Sequence, residues 1–495
     1  MNAPTRDEAR ESAIETARRS ANKELDPIQK ARLGQFMTPA SVARFMAGLF
    51  SERSTEEIRL LDAGAGVGSL TAAFLGRFGG RGVAATAYEV DRHLAAYLRR
   101  TLASEPVPSL GASIFERDFI HDAVFHRVGQ DRNKAGFTHA ILNPPYKKID
   151  GSSEHRALLR AVGLETVNLY TGFVGLAVEL MADGGEVVAI IPRSFCNGVY
   201  YRPFRDWILS RASLDHIHLF HSRTSAFDHD DVLQENVIIK LVRGRRQGEV
   251  TISTSRDASF GDLARHAYKF SEIVHDGDEQ RFIHVPTSPE HTGIESVPLA
   301  TRSLSEIGLS VSTGPVVDFR LRGFLLQEFE VGAVPLLYPT HFVDGEMEWP
   351  RLSKKPNAMR STPETVKWCY PNGFYTVVRR FSSKEERRRV VAHVVDPSMF
   401  GTSAIAFENH LNVFHAGRAG LDPNVAHGLS AYLNSTGVDE YFRRFSGHTQ
   451  VNATDLKLLR YPDSNELAVL GEWMRRQKRP SQDSIDGRVL EQHGR

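Results

Sequence analysis

The segment Ile58-Arg59-Leu60-Leu61-Asp62-Ala63-Gly64-Ala65-Gly66-Val67-Gly68-Ser69-Leu70 constrains the fold more than any other part of the chain. An apolar run stops at three glycines spaced by single residues, and a helix-forming stretch follows at once. That reads as a buried strand, a glycine-rich turn and a helix start. Further strands are expected at Ala84 to Val90, Ser113 to Arg117, Thr138 to Leu142, Glu186 to Ile191, His216 to Phe220 and Val237 to Val242, with helical patterns between most of them. Seven strands with helical crossovers, the last two close enough to be antiparallel neighbours, predict an α/β class built on a seven-stranded, doubly wound sheet.

At 495 residues the chain exceeds one comfortable core, so a second domain is expected. Periodicity weakens after Arg243-Gly244-Arg245-Arg246-Gln247-Gly248, which sets expected boundaries at 1–33 (a charged helical arm), 34–245 (the sheet domain), 246–480 (a mixed α+β domain) and 481–495 (a loose tail). Thr38 is read as the cap of a helix running from Ala40 to Leu49, with Pro39 opening it. Cys196 and Cys369 lie far apart with no C-x-x-C partner, which argues against a disulfide framework and a zinc cluster. A reducing, cytoplasmic setting fits that cysteine usage, and because no stretch approaches the roughly 18 to 20 apolar residues that a membrane span needs, a soluble, unanchored protein is expected. Net charge is only +1, but residues 350–460 hold 16 Lys or Arg against 9 Asp or Glu, a modest basic window.

Chemistry enters with Asn143-Pro144-Pro145-Tyr146, placed directly after the apolar run Ala140-Ile141-Leu142. Two prolines hold the chain extended, so the segment leaves the sheet as a rigid loop. An exocyclic amine, such as N6 of adenine, has a lone pair delocalised into its ring and becomes nucleophilic only as the nitrogen turns tetrahedral. Acceptors on both N–H groups favour that change. The Asn143 side-chain oxygen and the Pro144 carbonyl could supply one each, with Tyr146 stacked on the base. No proton-abstracting base and no metal is then required.

Three glycines alone would fit many nucleotide-like ligands, but acids at later strand ends narrow the choice. Glu89 stands 21 residues beyond Gly68, where a carboxylate can accept from both ribose hydroxyls. Asp118 could accept from an adenine amino group, and Phe119 could stack. The spacing G-x-G-x-G lacks the G-x-x-G step of a dinucleotide site, and a dehydrogenase would have no use for the proline-rich loop. S-adenosylmethionine fits both halves.

This order of motifs resembles the gamma-class, N6-adenine DNA methyltransferases of type II restriction–modification systems. The resemblance implies a Rossmann-like methyltransferase sheet with a C-terminal target-recognition domain. Gln35, Phe36, Thr38 and Pro39 look like its N-terminal cofactor motif, Asp62, Gly64, Gly66 and Gly68 like its glycine loop, Glu89 like its ribose acid, and Asp118 with Phe119 like its adenine pocket. Asn143 to Tyr146 is similar to its catalytic loop, and Phe227 to an aromatic residue held against the flipped base. In the second domain Gly308 to Arg320 and Ser446 to Leu456 look like target-recognition segments. Arg379, Arg380 and Lys384 are candidate phosphate contacts, and Arg443, Arg444, His448 and Gln450 candidate groove contacts.

The expected activity is therefore sequence-specific methyl transfer from S-adenosylmethionine to adenine N6 in double-stranded DNA, with the base flipped out. The expected setting is a monomer at the bacterial nucleoid, paired functionally with a separate restriction endonuclease. Two other acceptors share an N-P-P-Y loop, RNA bases and a protein glutamine amide, and a non-catalytic nucleic-acid-binding module on the same fold is a further alternative. The roughly 250 residues after the sheet favour an extended polymeric substrate. Intact Asp62, Glu89, Asp118 and Asn143 argue against a scaffold.

Overall fold

Strand β1 (Ile58–Ala63) carries Leu60, Leu61 and Ala63, none of them exposed. Successive side chains point to opposite faces, so their joint burial means that the strand is covered on both sides, as in a parallel sheet flanked by helices. The computed structural model describes residues 6–25, 37–52, 57–78, 81–104, 111–126, 136–220, 235–276, 278–286, 300–343, 345–382, 386–445 and 450–491, with the backbone alone for 6–11, 199, 444 and 445. Two compact units divide the chain, Met1–Pro289 and Glu290–Arg495.

In the first unit β2 (Val83–Tyr88), β3 (Gly111–Phe115), β4 (Phe137–Leu142), β5 (Met181–Pro192), β6 (Ala212–Phe220) and β7 (Asn236–Arg243) follow in the expected order. The sheet has nine strands rather than seven, because β8 (Glu249–Ser255) and β9 (Ala264–Lys269) extend it to the order β3-β2-β1-β4-β5-β7-β6-β8-β9. β1 to β5 are parallel, β7 runs antiparallel to both β5 and β6, β8 is parallel to β6, and β9 closes antiparallel to β8. Glu249 to Ser255 is rich in Ser and Thr, and β9 exposes five of its six residues, so this edge gives no apolar run to read. The basic, glycine-containing stretch taken as a domain boundary at 245 is the turn from β7 into β8, where Gly244 adopts φ +71° and its N–H donates to the Arg211 carbonyl. The sheet unit accordingly runs to Pro289.

The N-terminal helix, Arg6–Glu24, is not a free arm. Ile14 packs on Ala40 and Ala72, while Ala21 and Leu25 pack on Met37, Val67 and Leu94. Thr38 does not cap the helix Ala40–Gly48; Pro39 holds the cap position at φ −60°, ψ 151° without a side-chain bond.

The second unit is mixed α+β. A four-stranded sheet, β10-β20-β17-β18, and a five-stranded one, β11-β15-β12-β19-β16, are linked by short turns such as 372–374 and 408–410, and the α-helices described in the unit follow β20. Its strands are β10 (Ser310–Thr313), β11 (Leu325–Leu326), β12 (Ala333–Leu337), β13 (Phe342–Val343), β14 (Glu346–Met347), β15 (Ala358–Arg360), β16 (Cys369–Pro371), β17 (Tyr375–Arg379), β18 (Ala392–Val395), β19 (Ala404–Phe407) and β20 (Leu411–His415). Helices Pro423–Leu433 and Ser464–Arg476 touch through glycine, since a Cβ on Gly428 would lie 1.8 Å from the Leu467 carbonyl oxygen. The tail is not loose: Gln482–Glu491 is a helix that buries Ile485 and Val489, and its Asp486 accepts from Thr436 N at 2.7 Å and Oγ1 at 2.6 Å.

Candidate functional site

β1 and β4 lie side by side, while β2 continues the sheet on the other side of β1, so a crevice opens beyond their carboxyl ends where the winding reverses. The glycine loop leaves β1 there and the Asn143 loop leaves β4. Gly64, Gly66 and Gly68 take φ of +81°, +58° and +88°, backbone that a side chain would strain. Gly64 and Ala65 both donate their N–H to the Tyr88 carbonyl at 2.9 Å, anchoring the turn to the end of β2. A Cβ on Gly64 would sit 3.8 Å from the Asn143 carbonyl oxygen and 3.9 Å from Pro145 Cδ. The two loops therefore face each other closely.

Between them lies a cavity of about 600 Å³ whose walls include Thr38, Gly64, Gly66, Glu89, Asp118, Phe119, Asn143 and Pro145. Pro39, Asp62, Gly68, Pro144 and Tyr146 stand behind or beside that wall rather than on it. Gln35, Phe36 and Phe227 lie outside the described residues.

The side-chain amide of Asn143 has a defined orientation. Its Nδ2 donates to Thr38 Oγ1 at 2.9 Å, which makes Oδ1 the acceptor end of the group. Thr38 thus orients the Asn143 amide across 105 residues of sequence instead of capping its own helix. The Tyr146 hydroxyl donates to the Ile190 carbonyl on β5 at 3.0 Å, and its ring meets Tyr170 edge-on at 6.1 Å. Both contacts fix the plane of the ring.

Three acids surround the glycine loop with different electrostatics. Asp62 Oδ2 accepts from Thr71 Oγ1 at 2.6 Å; burial, reinforced by the charge of Glu89, raises its pKa to about 7. Glu89 accepts from Gly66 N at 2.9 Å and Asp91 N at 2.8 Å, yet burial outweighs these bonds and its pKa also rises to about 7. Asp118 goes the other way. Burial raises its pKa, but the His155 hydrogen bond and the N–H of His121 more than offset it and the net shift is downward. Asp118 Oδ1 caps the helix Phe119–His126 through His121 N at 3.0 Å, and Oδ2 meets His155 Nε2 at 2.8 Å.

No motif or spacing in the sequence marks His155. It lines the cavity from the first turn of the helix Glu154–Ala161, and the bond to Asp118 raises its pKa. Its other charged neighbours are Glu154 and Lys147, with the ring of His121 at 6.3 Å. The sign follows from the two shifts. An acid with a lowered pKa stabilises the fold above its ordinary value near 4, and a histidine with a raised pKa does so below its ordinary value near 6.5. Replacing His155 by asparagine therefore lowers the thermal midpoint at pH 5.5 and has little effect at pH 9. Melting curves at both pH values check this, and the effect is small because both side chains are 34% exposed and screened by solvent.

Phe173 is a second such residue. Its ring lies 5.1 Å from that of Phe119 on the cavity wall. Phe119 is itself 2% exposed, packed also against Tyr88, so its ring belongs as much to the core as to the cavity.

In the second unit Arg379 pairs with Glu386. Arg380 donates to the Asn409 carbonyl at 3.3 Å and to Gln450 Oε1 at 3.2 Å. Arg443 donates to Asp439 Oδ2 at 2.7 Å and to the Glu386 carbonyl at 2.8 Å. These guanidinium groups hold the unit together, which reduces what they offer to phosphate. Lys384, His448 and the side chain of Arg444 lie outside the described residues.

Residues 98–227 match the family of the Eco57I restriction-modification methylase. Over 453 residues the chain is 50% identical to the type II methyltransferase M.BsuBI of Bacillus subtilis, an alignment that covers 90% of each protein. The chain belongs to the type II methyltransferases. A second member, M.PstI of Providencia stuartii, is 42% identical over 469 residues, 92% of each protein. Among solved structures, the cryo-EM structure of a DrdV–DNA complex gives a TM-score of 0.51 at 13% identity, covering 94% of this chain and 59% of that one, a likeness of fold. In this type II methyltransferase no helix among the described residues is long and apolar enough to cross a membrane.

Proposed function

We propose that this type II methyltransferase transfers a methyl group from S-adenosylmethionine to N6 of adenine at a specific sequence in duplex DNA, in the manner of the gamma class. The observation that carries the reading is the Asn143 amide, oriented by Thr38 on the wall of a cavity that also holds the glycine loop.

The residues fit the cofactor. A Cβ on Gly66 would meet only open space, so the loop offers a cradle rather than a packed turn. Ser69 Oγ, on the cavity wall, is buried without a hydrogen-bond partner among the described residues, which a polar ligand could supply. Glu89 would take the ribose hydroxyls, the glycine loop and Thr38 the methionine end, and Phe119, Phe173 and Asp118 with His155 the adenine. When bound, S-adenosylmethionine supplies a methyl group on a sulfonium, ready for in-line displacement.

The chain's own residues prepare the acceptor. Asn143 Oδ1 and the Pro144 carbonyl accept from the two amine N–H groups and draw the nitrogen toward a tetrahedral shape. Tyr146, its plane fixed by Ile190 and Tyr170, supports the extruded base. After transfer the surplus proton on nitrogen passes to solvent. The first unit is the catalytic domain, the second reads the target, and the biological role is to protect DNA in the bacterial cytoplasm from a separate restriction endonuclease.

Thr38→Val keeps the shape of the side chain and removes the acceptor for Asn143 Nδ2. Turnover at saturating S-adenosylmethionine is expected to fall about tenfold, with Thr38→Ser restoring activity; steady-state kinetics of the three proteins check it. The reading as a whole is tested by offering labelled S-adenosylmethionine with duplex DNA, RNA or protein as acceptor. Label on duplex DNA at one short sequence supports it, and label only on RNA or protein overturns it.

A further inference from the structure

Two loops of the second unit carry exposed apolar tips beside exposed positive charge. One joins β10 to β11 and includes the 3-10 turns Asp318–Arg320 and Arg322–Phe324; the other joins β14 to β15. Lys355 Nζ on the second meets Asp318 Oδ2 on the first at 3.0 Å. Gln327 Nε2 donates to the carbonyls of Ser353 at 2.6 Å and Lys355 at 3.2 Å.

Buried Asn357 completes the frame with four hydrogen bonds. Its Oδ1 accepts from Arg351 N at 2.8 Å and pairs with His341 Nε2 at 2.9 Å, while its Nδ2 donates to the carbonyls of Gln327 at 3.0 Å and Arg351 at 2.9 Å. A satisfied buried amide of this kind fixes a loop without any cost in unpaired groups. The tips are thus held rigidly, and rigid tips lose little entropy on binding.

What the frame presents is Phe319, 62% exposed, and Leu352, 97% exposed. Arg320, Arg322 and Lys354 are exposed around them, with Arg320 lying 5.5 Å over the Phe319 ring. Exposed apolar tips occur elsewhere in the unit, and their charged neighbours differ. Val331 is fully exposed too, but its neighbours Glu328 and Glu330 would repel a polyanion. The Phe319 and Leu352 loops instead join their apolar tips to exposed Arg320, Arg322 and Lys354.

We propose that these two loops grip the duplex DNA substrate, Arg320, Arg322 and Lys354 on its phosphates and Phe319 with Leu352 against the sugar and base edges of a groove. The assignment rests on the DNA reading above and adds to it the surface that engages DNA. It moves the main phosphate contacts away from Arg379, Arg380 and Arg443. Lysine and arginine contacts to phosphate release counterions, so they set how steeply binding falls with salt, whereas apolar groove contacts do not.

The test is equilibrium binding of the full chain, with S-adenosylmethionine present, to the duplex that the wild-type protein methylates, measured across a salt series. Arg320→Ala/Arg322→Ala/Lys354→Ala is expected to lose at least about tenfold in affinity and to flatten the log–log salt slope by about 2 to 3. Phe319→Ala and Leu352→Ala are expected to weaken binding at least about fivefold with the slope unchanged. Cofactor affinity and thermal midpoint should stay at wild-type values in all of them, and Val331→Ala should change nothing. Wild-type affinity and slope in the triple variant would overturn the inference and leave the DNA reading standing. A wild-type protein that neither binds nor methylates duplex DNA would overturn the DNA reading itself.

Discussion

Replacing Asn143 by alanine is expected to lower methyl transfer by about 10³-fold, roughly 4 kcal/mol of barrier, while S-adenosylmethionine affinity stays within about twofold. The Asn143 amide is bonded through Nδ2 to Thr38 Oγ1, so its orientation is set before any substrate arrives. Such preorganisation is what makes one polar group worth several kcal/mol in a transition state. Asn143→Asp is a second, sharper variant, because a carboxylate keeps an acceptor for the amine but cannot donate to Thr38. It should retain part of the activity lost in alanine. Single-turnover methyl transfer together with calorimetric titration of the cofactor separates the outcomes, and equal loss of binding and turnover would assign Asn143 to the fold instead.

Cofactor binding is expected to weaken at least about tenfold between pH 8 and pH 6 and to release protons near neutrality. Asp62 and Glu89 both have pKa values raised to about 7, chiefly by burial. In the unfolded chain such groups ionise near 4, so between about pH 4 and 7 the folded protein without ligand holds the extra protons, and its stability falls as pH rises through that window. A ligand that donates ribose hydroxyls and carries a sulfonium prefers the ionised carboxylates. Binding then lowers both pKa values. Titration calorimetry in two buffers of different ionisation heat reads the proton release directly, and Glu89→Gln should remove a large part of both the release and the pH dependence. Affinity that is flat from pH 6 to 8 would show that neither carboxyl changes charge on binding.

Much of the sheet and of the site could be read from sequence because both depend on strand ends. β1 and β4 to β7 are covered on both faces and so appear as apolar runs, and the residues that follow β1, β2, β3 and β4 arrive at the crevice whatever the loops do. Glycines, Glu89, Asp118 and Asn143 were legible for that reason. Edge strands β8 and β9 were not, since serine, threonine and exposed side chains leave no hydrophobic period to detect. Pairings across long separations were equally hidden. Thr38 looked like a local cap because serine and threonine before a helix usually are, and only the tertiary fold brings it to Asn143. The His155 bond to Asp118 spans 37 residues and joins two helix starts, a relation that no spacing rule encodes. In the second unit, arginine counts signalled a basic region, but composition cannot tell an arginine that braces a loop, such as Arg443, from one that faces solvent, such as Arg322.

The most direct test of the account is the chemical identity of the methylated product. Duplex DNA methylated by the purified protein, digested to nucleosides and resolved by mass spectrometry, is expected to contain N6-methyldeoxyadenosine as its one new nucleoside, and to contain none when the Asn143→Ala protein is used. Methyl groups found on cytosine, at carbon 5 or at the amino group, would contradict adenine N6 as the acceptor proposed for the Asn143 loop.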